Sequence, residues 1–334
     1  MSTGTETEAT TESRGLLRRL RASPFLSELL QSRIAVAGLA IIATMVAVAI
    51  YSRVQMLLLA LATPEAEGLL DAILAGPSPV TDSRLGGGIE DRAPPGWLGP
   101  APLDQQLFGT DQQARDIYRR TLYGAWLALK WGTITVGLST VAGVGLGIVA
   151  AYYGDVTDNV IMRTMDVLLA FPSLLLALAL VAIFPDDLGL VRAVAALTLV
   201  YTPRFARVVR GAALKVLEDE YIDATVALGA ADPRVLVRHI LPNCLAPITV
   251  QSTLNFGLAI IDLAALSFLG FGAQAGTPSW GLMLDNGVDF GMLSGRWWMS
   301  FFPGLFLALT VLGFNLLGDG MRDALDPRMR EAID

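Results

Sequence analysis

WGTITVGLSTVAGVGLGIVAAYYG, Trp131–Gly154, runs without one charged side chain. A bilayer core of about 30 Å takes ~20 helical residues at ~1.5 Å each, so this stretch can cross a membrane as a single helix. Gly143 and Gly147 stand one helical turn apart in it. Small residues at that spacing let a neighbouring helix approach closely.

The same signature recurs along the chain. Ile34 to Ser52 is uncharged and outruns the ~7–15-residue apolar region of a secretory leader, so it reads as an uncleaved anchor. Val167–Pro185 follows, then Leu188–Pro203, which Arg192 interrupts near one end. A further apolar run between His239 and Asp262 extends to Phe268, and Trp297–Gly318 is the last. The expected fold is an all-α membrane protein with six transmembrane helices. A disordered tail covers 1–22, an anchor with the first span covers 23–62, and an extracytoplasmic loop rich in Gly and Pro covers 63–125. A domain at 126–320 holds spans near 128–153, 164–185, 187–208, 243–268 and 297–318, with a loop at 211–242, and a tail covers 321–334.

Composition agrees with a lipid solvent. Hydrophobic residues make up 53% of the 334 and charged ones 16%, against roughly 25% in a soluble domain. Net charge is −7, which gives no basic footprint for nucleic acid. Cys244 is the single cysteine and His239 the single histidine, so no intrachain disulfide or Cys/His zinc set can form, and no metal or other cofactor is expected on this chain. A nucleotide-binding P-loop needs Gly before its lysine, but Leu129 precedes Lys130 and Leu214 precedes Lys215. An ATPase or other enzyme is not expected.

Positive charge sets orientation. Arg163, then Arg204, Arg207, Arg210, Lys215, Arg234 and Arg238, then Arg322, Arg328 and Arg330 fall on one side if the N-terminus starts inside. Both termini are expected in the cytoplasm.

The stretch at 204–242 is the least apolar part of the later chain. Leu217, Tyr221, Ala224 and Leu228 recur at helical spacing beside Glu218, Asp219, Glu220 and Asp223, which predicts a short amphipathic helix. Gly229 is placed to end it in a left-handed conformation. Asp232 then reads as an N-cap with Pro233 at the first helical position, and Pro242 as the breaker before the next span. Such a helix–Gly–helix knuckle can seat in a groove on a partner or lie on lipid headgroups; physics alone leaves both open.

EYIDATVALGAADPRVLVRHILPN, Glu220–Asn243, resembles the Glu-Ala-Ala loop of binding-protein-dependent ABC importer permeases, whose pattern is E-A-A-x3-G-x9-I-x-L-P. Asp223, Ala224 and Thr225 stand at the E-A-A positions, Gly229 at the Gly, His239 at the Ile, and Leu241-Pro242 close it. FGTDQQARD at Phe108–Asp116 is similar to F-G-T-D-x-x-G-R-D of the dipeptide, oligopeptide and nickel branch, with Ala114 replacing Gly. Asp166–Leu176, Ala265–Leu284 and Gly318–Arg328 resemble further segments of that branch, in order, over roughly 23–330. A single span before a long outer loop resembles its C-type subunit.

That resemblance implies a type I ABC importer permease bundle. It implies a second, different permease as heterodimer partner, two ATPase subunits that hold the ATP, an extracytoplasmic substrate-binding protein, and a cell-membrane location in the lipid bilayer. It implies no nucleic acid partner. Tyr221, Asp223, Ala224, Thr225, Gly229, Arg238, His239, Leu241 and Pro242 become the ATPase-coupling set. No catalytic residue is implied.

Asp262 interrupts an apolar run; an intramembrane acid is a site candidate by default, and both path lining and a structural contact stand. Trp280, Trp297 and Trp298 read as an interfacial aromatic belt. Asp166 reads as favouring a helix N-terminus, with Arg163 a possible partner. Two other classes compete. A stand-alone secondary transporter would show repeated halves with broken helices. An intramembrane aspartyl protease wants G-x-G-D, but Tyr152 and Leu316 stand where Gly154-Asp155 and Gly318-Asp319 would need the first Gly.

Overall fold

A computed structural model describes residues 29–62, 107–113, 115–185, 188–292 and 294–325. The expected tail at 1–22, most of the 63–125 loop and the end of the last tail lie outside the described residues. The chain is helical: α1 (Arg33–Ala62), α2 (Ile117–Tyr153), α3 (Asp155–Leu169), α4 (Ser173–Val181), α5 (Leu190–Leu217), α6 (Glu220–Ala227), α7 (Asp232–Val235), α8 (Leu241–Asn243), α9 (Leu245–Phe268), α10 (Trp280–Asn286) and α11 (Trp298–Leu325). Wider π-helical turns at Leu236–Ile240 and Gly287–Met292 join α7 to α8 and extend α10.

Among the described residues, α1, α2, α9 and α11 are each long and apolar enough to span a membrane. The α3–α4 pair is apolar enough for a fifth only if the two are taken together, and it is bent by 95°. The sequence reading made this one continuous span over 164–185. Pro172 explains the break: it has no N–H to donate and drives Phe171 out of the helical region. The sixth span expected from the sequence, α5, is not among the helices that pass by length and composition. It carries Arg192, Arg204, Arg207, Arg210 and Lys215, too many for a lipid-facing helix, yet it is the inside member of the bundle. Ala193, Ala196, Leu197, Tyr201, Phe205, Ala206, Val209 and Ala213 are all fully buried.

Its main neighbour is α2. Gly143 and Gly147 lie in that seam, where an added Cβ would stand 2.6 Å from the carbonyl oxygens of Thr202 and Ala206. The spacing read from the sequence therefore makes a close helix contact. α2 starts well before the expected position 128, capped by the Asp116 carboxylate, which accepts from the Tyr118 N–H at 2.9 Å. Gly154 and Asp155, at φ 58° and 40°, turn the chain into α3. Asp166 falls in the last turn of α3, not the first, and pairs with Arg207 at 2.7 Å instead of Arg163. Asp158 takes Arg210 in the same way, so both acids tie α3 to α5.

At the end away from the 218–243 loop, the Thr110–Asp116 segment is locked onto the bundle. Asp111 accepts from the Gln113 and Arg115 N–H groups at 2.8 and 3.0 Å and from Arg115 Nε at 2.6 Å. Buried Arg120 stands 4.0 Å from the same carboxylate. Trp280 Nε1 donates to the Thr121 carbonyl at 2.8 Å, and Trp298 Nε1 to that of Thr110 at 3.1 Å. Those two rings, 2% and 9% exposed, are core and not an interfacial belt; Trp297 alone of the three is exposed. Removing a buried anion beside a buried cation typically destabilises by about 3 kcal/mol. Asp111→Ala should therefore lower the melting temperature of the detergent-solubilised protein by several degrees. An unchanged melt would show that the cluster is not holding this end.

Candidate functional site

The loop after α5 folds back on itself as a knuckle. Eight residues of α6 are too few to hold alone, since isolated helices below about 12 residues are marginal in water. A single anchor fixes it: Ile222, 2% exposed, sits among Val209, Ala213 and Val216 of α5, Val235, Ile240 and Cys244. The expected face of Leu217, Tyr221, Ala224 and Leu228 is thus not the buried one. Leu217 is half-buried, while Tyr221, Ala224 and Leu228 point outward, and Leu228 is 90% exposed. Over so short a helix the surrounding walls, not periodicity, choose the inward side.

Gly229 ends α6 at φ 82°, as its position predicts. The Ala230 N–H reaches back to the Thr225 carbonyl at 3.3 Å across this turn. Asp232 is not an N-cap; it opens α7, and Ala231 precedes the helix. Its carboxylate instead accepts from the Tyr152 and Tyr153 hydroxyls at 2.9 and 3.2 Å, pinning the knuckle to the end of α2.

Pro242 does not break the return helix. A proline N cannot donate to the carbonyl four residues back. The chain widens into the π-helical turn Leu236–Ile240, the Leu241 N–H closing onto the Leu236 carbonyl, and runs on through α8 to α9. The knuckle is therefore continuous with a spanning helix. Asn243 Nδ2 donates to the Tyr221 hydroxyl at 3.0 Å and to the His239 carbonyl at 2.7 Å. Tyr221 and His239 lie with ring centroids 6.2 Å apart.

Of the residues singled out from the sequence, Tyr221 and His239 come together where α6 meets the return helix, Leu241 packs against the cluster around Ile222, and Pro242 is exposed. Asp223, Ala224 and Gly229 are exposed on the outward side, and Thr225 is half-buried with its hydroxyl on the Tyr221 carbonyl at 2.7 Å. Arg238 is exposed. Asp262 stands apart, in α9, where it accepts from the Tyr201 hydroxyl at 2.6 Å. Ile222, Asp232 and Asn243 escaped the sequence reading as organisers of the knuckle. Asp232 and its tyrosines are about 80 residues apart, and no local pattern signals such a bond. The Cys244 thiol packs as a small apolar group beneath the knuckle. Among the described residues no cluster of His, Cys, Asp and Glu could hold a metal ion.

The outward surface of α6 is thus an apolar and acidic strip of Asp223, Ala224, Val226, Ala227 and Leu228, on a base tied to three spanning helices.

Comparison with known proteins agrees. Residues 143–331 match the family model described as binding-protein-dependent transport system inner membrane component. The dipeptide transport system permease protein DppC of Alkalihalophilus pseudofirmus is 47% identical over 229 residues, 69% of this chain and 74% of that one. The di/tripeptide transport system permease protein DppC of Pseudomonas aeruginosa is 44% identical over 241 residues, 72% of this chain and 77% of its own. The dipeptide transport system permease protein DppC of Escherichia coli K12 is 44% identical over 239 residues, covering 72% and 78% of the two chains. With its bent α3–α4 pair, buried cationic α5 and protruding knuckle, the chain belongs to the inner membrane components of binding-protein-dependent transport systems.

Proposed function

We propose that this chain is one of two unlike permease halves of an ATP-driven importer for dipeptides and oligopeptides. The peptide class comes from the relatives, which carry that substrate in their names. The knuckle faces the cytoplasm and seats on one of two separate ATPase subunits. The opposite end receives substrate from an extracytoplasmic binding protein. Both termini lie inside, since the Arg-rich end of α5 and the knuckle share one side.

The observation that carries the coupling role is the exposed strip ending in Leu228 on a base that cannot swing freely. Val226 and Leu228 leave apolar side chains in water on one short helix, a surface suited to a partner's groove. The ties to α2, α5 and α9 mean that a push on the strip moves spanning helices as bodies. Closure of the ATPases would then turn the bundle from inward- to outward-open. This chain contributes no hydrolysis.

The test is reconstitution of this chain with its second permease, ATPases and binding protein in proteoliposomes. Uptake of labelled dialanine should require ATP and the binding protein together. Uptake that proceeds on an ion gradient without ATP would mean a secondary transporter instead.

A further inference from the structure

Asp262 has a use that the knuckle does not explain. No other acidic residue falls within α1, α2, α4, α5 or α9. The acids of α3 are engaged by Arg207 and Arg210 or lie at its start, and Asp319 and Asp323 sit in the last two turns of α11. At ~1.5 Å per residue, Asp262 stands about 9 Å below the Phe268 end of α9, and its partner Tyr201 about 16 Å below the Leu190 end of α5. Those two ends lie together, because Gln274 packs against Gly189. Asp262 therefore lies within the apolar run Leu245–Phe268, one of the helices long and apolar enough to span a membrane, and not at its end.

Tyr201 is fully buried and donates its hydroxyl to Asp262 Oδ2 at 2.6 Å. The Arg204 guanidinium lies 5.3 Å from the centre of the Tyr201 ring, over the residue that holds the carboxylate. Asp262 Oδ1 has no hydrogen-bond partner among the described residues, and the side chain is only half-buried. Asp262 stands at the edge of the packed face of α9: Ala259 and Leu266 on one flank are fully buried, while Leu258 and Leu269 on the other are exposed. A carboxylate set against acyl chains costs about 3 kcal/mol or more. The open oxygen therefore faces water or a polar partner: the passage between the two halves.

We propose that Asp262 is a station in that passage for the α-ammonium group of a peptide, with Tyr201 positioning its carboxylate. Arg204, one turn nearer the knuckle, balances the charge when the station is empty and faces the peptide's terminal carboxylate when it is filled. Two opposite charges on one wall match the two ends of a zwitterion. The assignment rests on the peptide reading above.

The complete transporter in proteoliposomes tests it, with labelled dialanine as probe. Asp262→Asn keeps an acceptor for Tyr201 but loses the charge, and uptake should fall at least tenfold. Asp262→Glu should keep a third or more. In a Cys244→Ser background, the thiol of Asp262→Cys should react with aqueous methanethiosulfonate ethylammonium, and dialanine should slow that reaction several-fold. Uptake by Asp262→Asn within twofold of the parent, or a thiol the reagent never reaches, overturns the station. So does failure of Asp262→Asn to assemble, which would mark a structural tie. A parent complex that carries no dialanine overturns the peptide reading and the ammonium assignment with it; the labelling without substrate reads the passage independently.

Discussion

Gly143→Leu should leave no monodisperse protein after mild detergent extraction, whereas Gly137→Leu and Gly145→Leu should behave like the parent. All four glycines of the Gly137–Gly147 run belong to one helix, and they divide by face. Nothing lies within 4 Å of a Cβ built on Gly137 or Gly145, while one on Gly143 would meet the Thr202 carbonyl oxygen at 2.6 Å and the Ala206 nitrogen at 3.0 Å. Those are backbone atoms of α5 and cannot rotate away. Overpacking a core typically costs about 1–3 kcal/mol when side chains can adjust, so a clash with fixed backbone belongs at or above the upper end. The penalty falls on the helix least able to bear it. α5 holds five basic residues and depends on α2 to cover its buried alanines. Gly143→Ala should sit between, extractable with a melting temperature several degrees down. Equal gel-filtration profiles for Gly143→Leu and Gly145→Leu would mean that the α2–α5 seam is misplaced.

That seam was readable from the sequence because small residues one turn apart in an uncharged run have one mechanical consequence, close approach. Gly229 was readable for a similar reason: a glycine just past a helix meets a positive φ that other residues resist. Other features were hidden because one local pattern serves two tertiary ends. Tryptophans near a span end fit an interfacial belt and a polar-edged core equally well. What decides for Trp280 and Trp298 are carbonyls 159 and 188 residues away. Hydropathy saw the apolar content of α3–α4 but not the 95° bend at Pro172. Pro242 looked like a stop, yet a π-helical turn absorbs its missing donor and carries the helix through. The inward side of α6 was misjudged because one isoleucine and the walls around it outweigh the periodicity of eight residues. Asp262 was visible as an anomaly; its meaning needed Tyr201 and Arg204 from another helix.

At Gly229 three substitutions should order themselves by backbone, not size. The position sits at φ 82° with nothing within 4 Å of an added Cβ, so every side chain fits the space and only the conformation objects. A left-handed residue costs roughly 1–2 kcal/mol for an ordinary L side chain, less for asparagine and more for a β-branched one. Gly229→Asn should keep most of the ATP-dependent uptake, Gly229→Ala should lose a few-fold, and Gly229→Val should lose tenfold or more. The loss arises because the turn relaxes toward negative φ, which swings α6 and the Leu228 strip away from the direction set by Ile222 and Asp232. ATP hydrolysis by the partner subunits should persist in Gly229→Val while its stimulation by loaded binding protein disappears, the signature of a motor running without its load. Leu228→Asp separates contact from geometry. It leaves the turn intact and the fold untouched, since Leu228 is almost fully in water, yet it puts a charge where a groove expects an apolar group. Co-purification of the ATPases should then fall at least tenfold with the membrane bundle still extractable and monodisperse. Full retention of the ATPases by Leu228→Asp, or a Gly229→Val transporter as active as Gly229→Asn, would remove the knuckle from the coupling path and return it to the alternative of a helix resting on lipid headgroups.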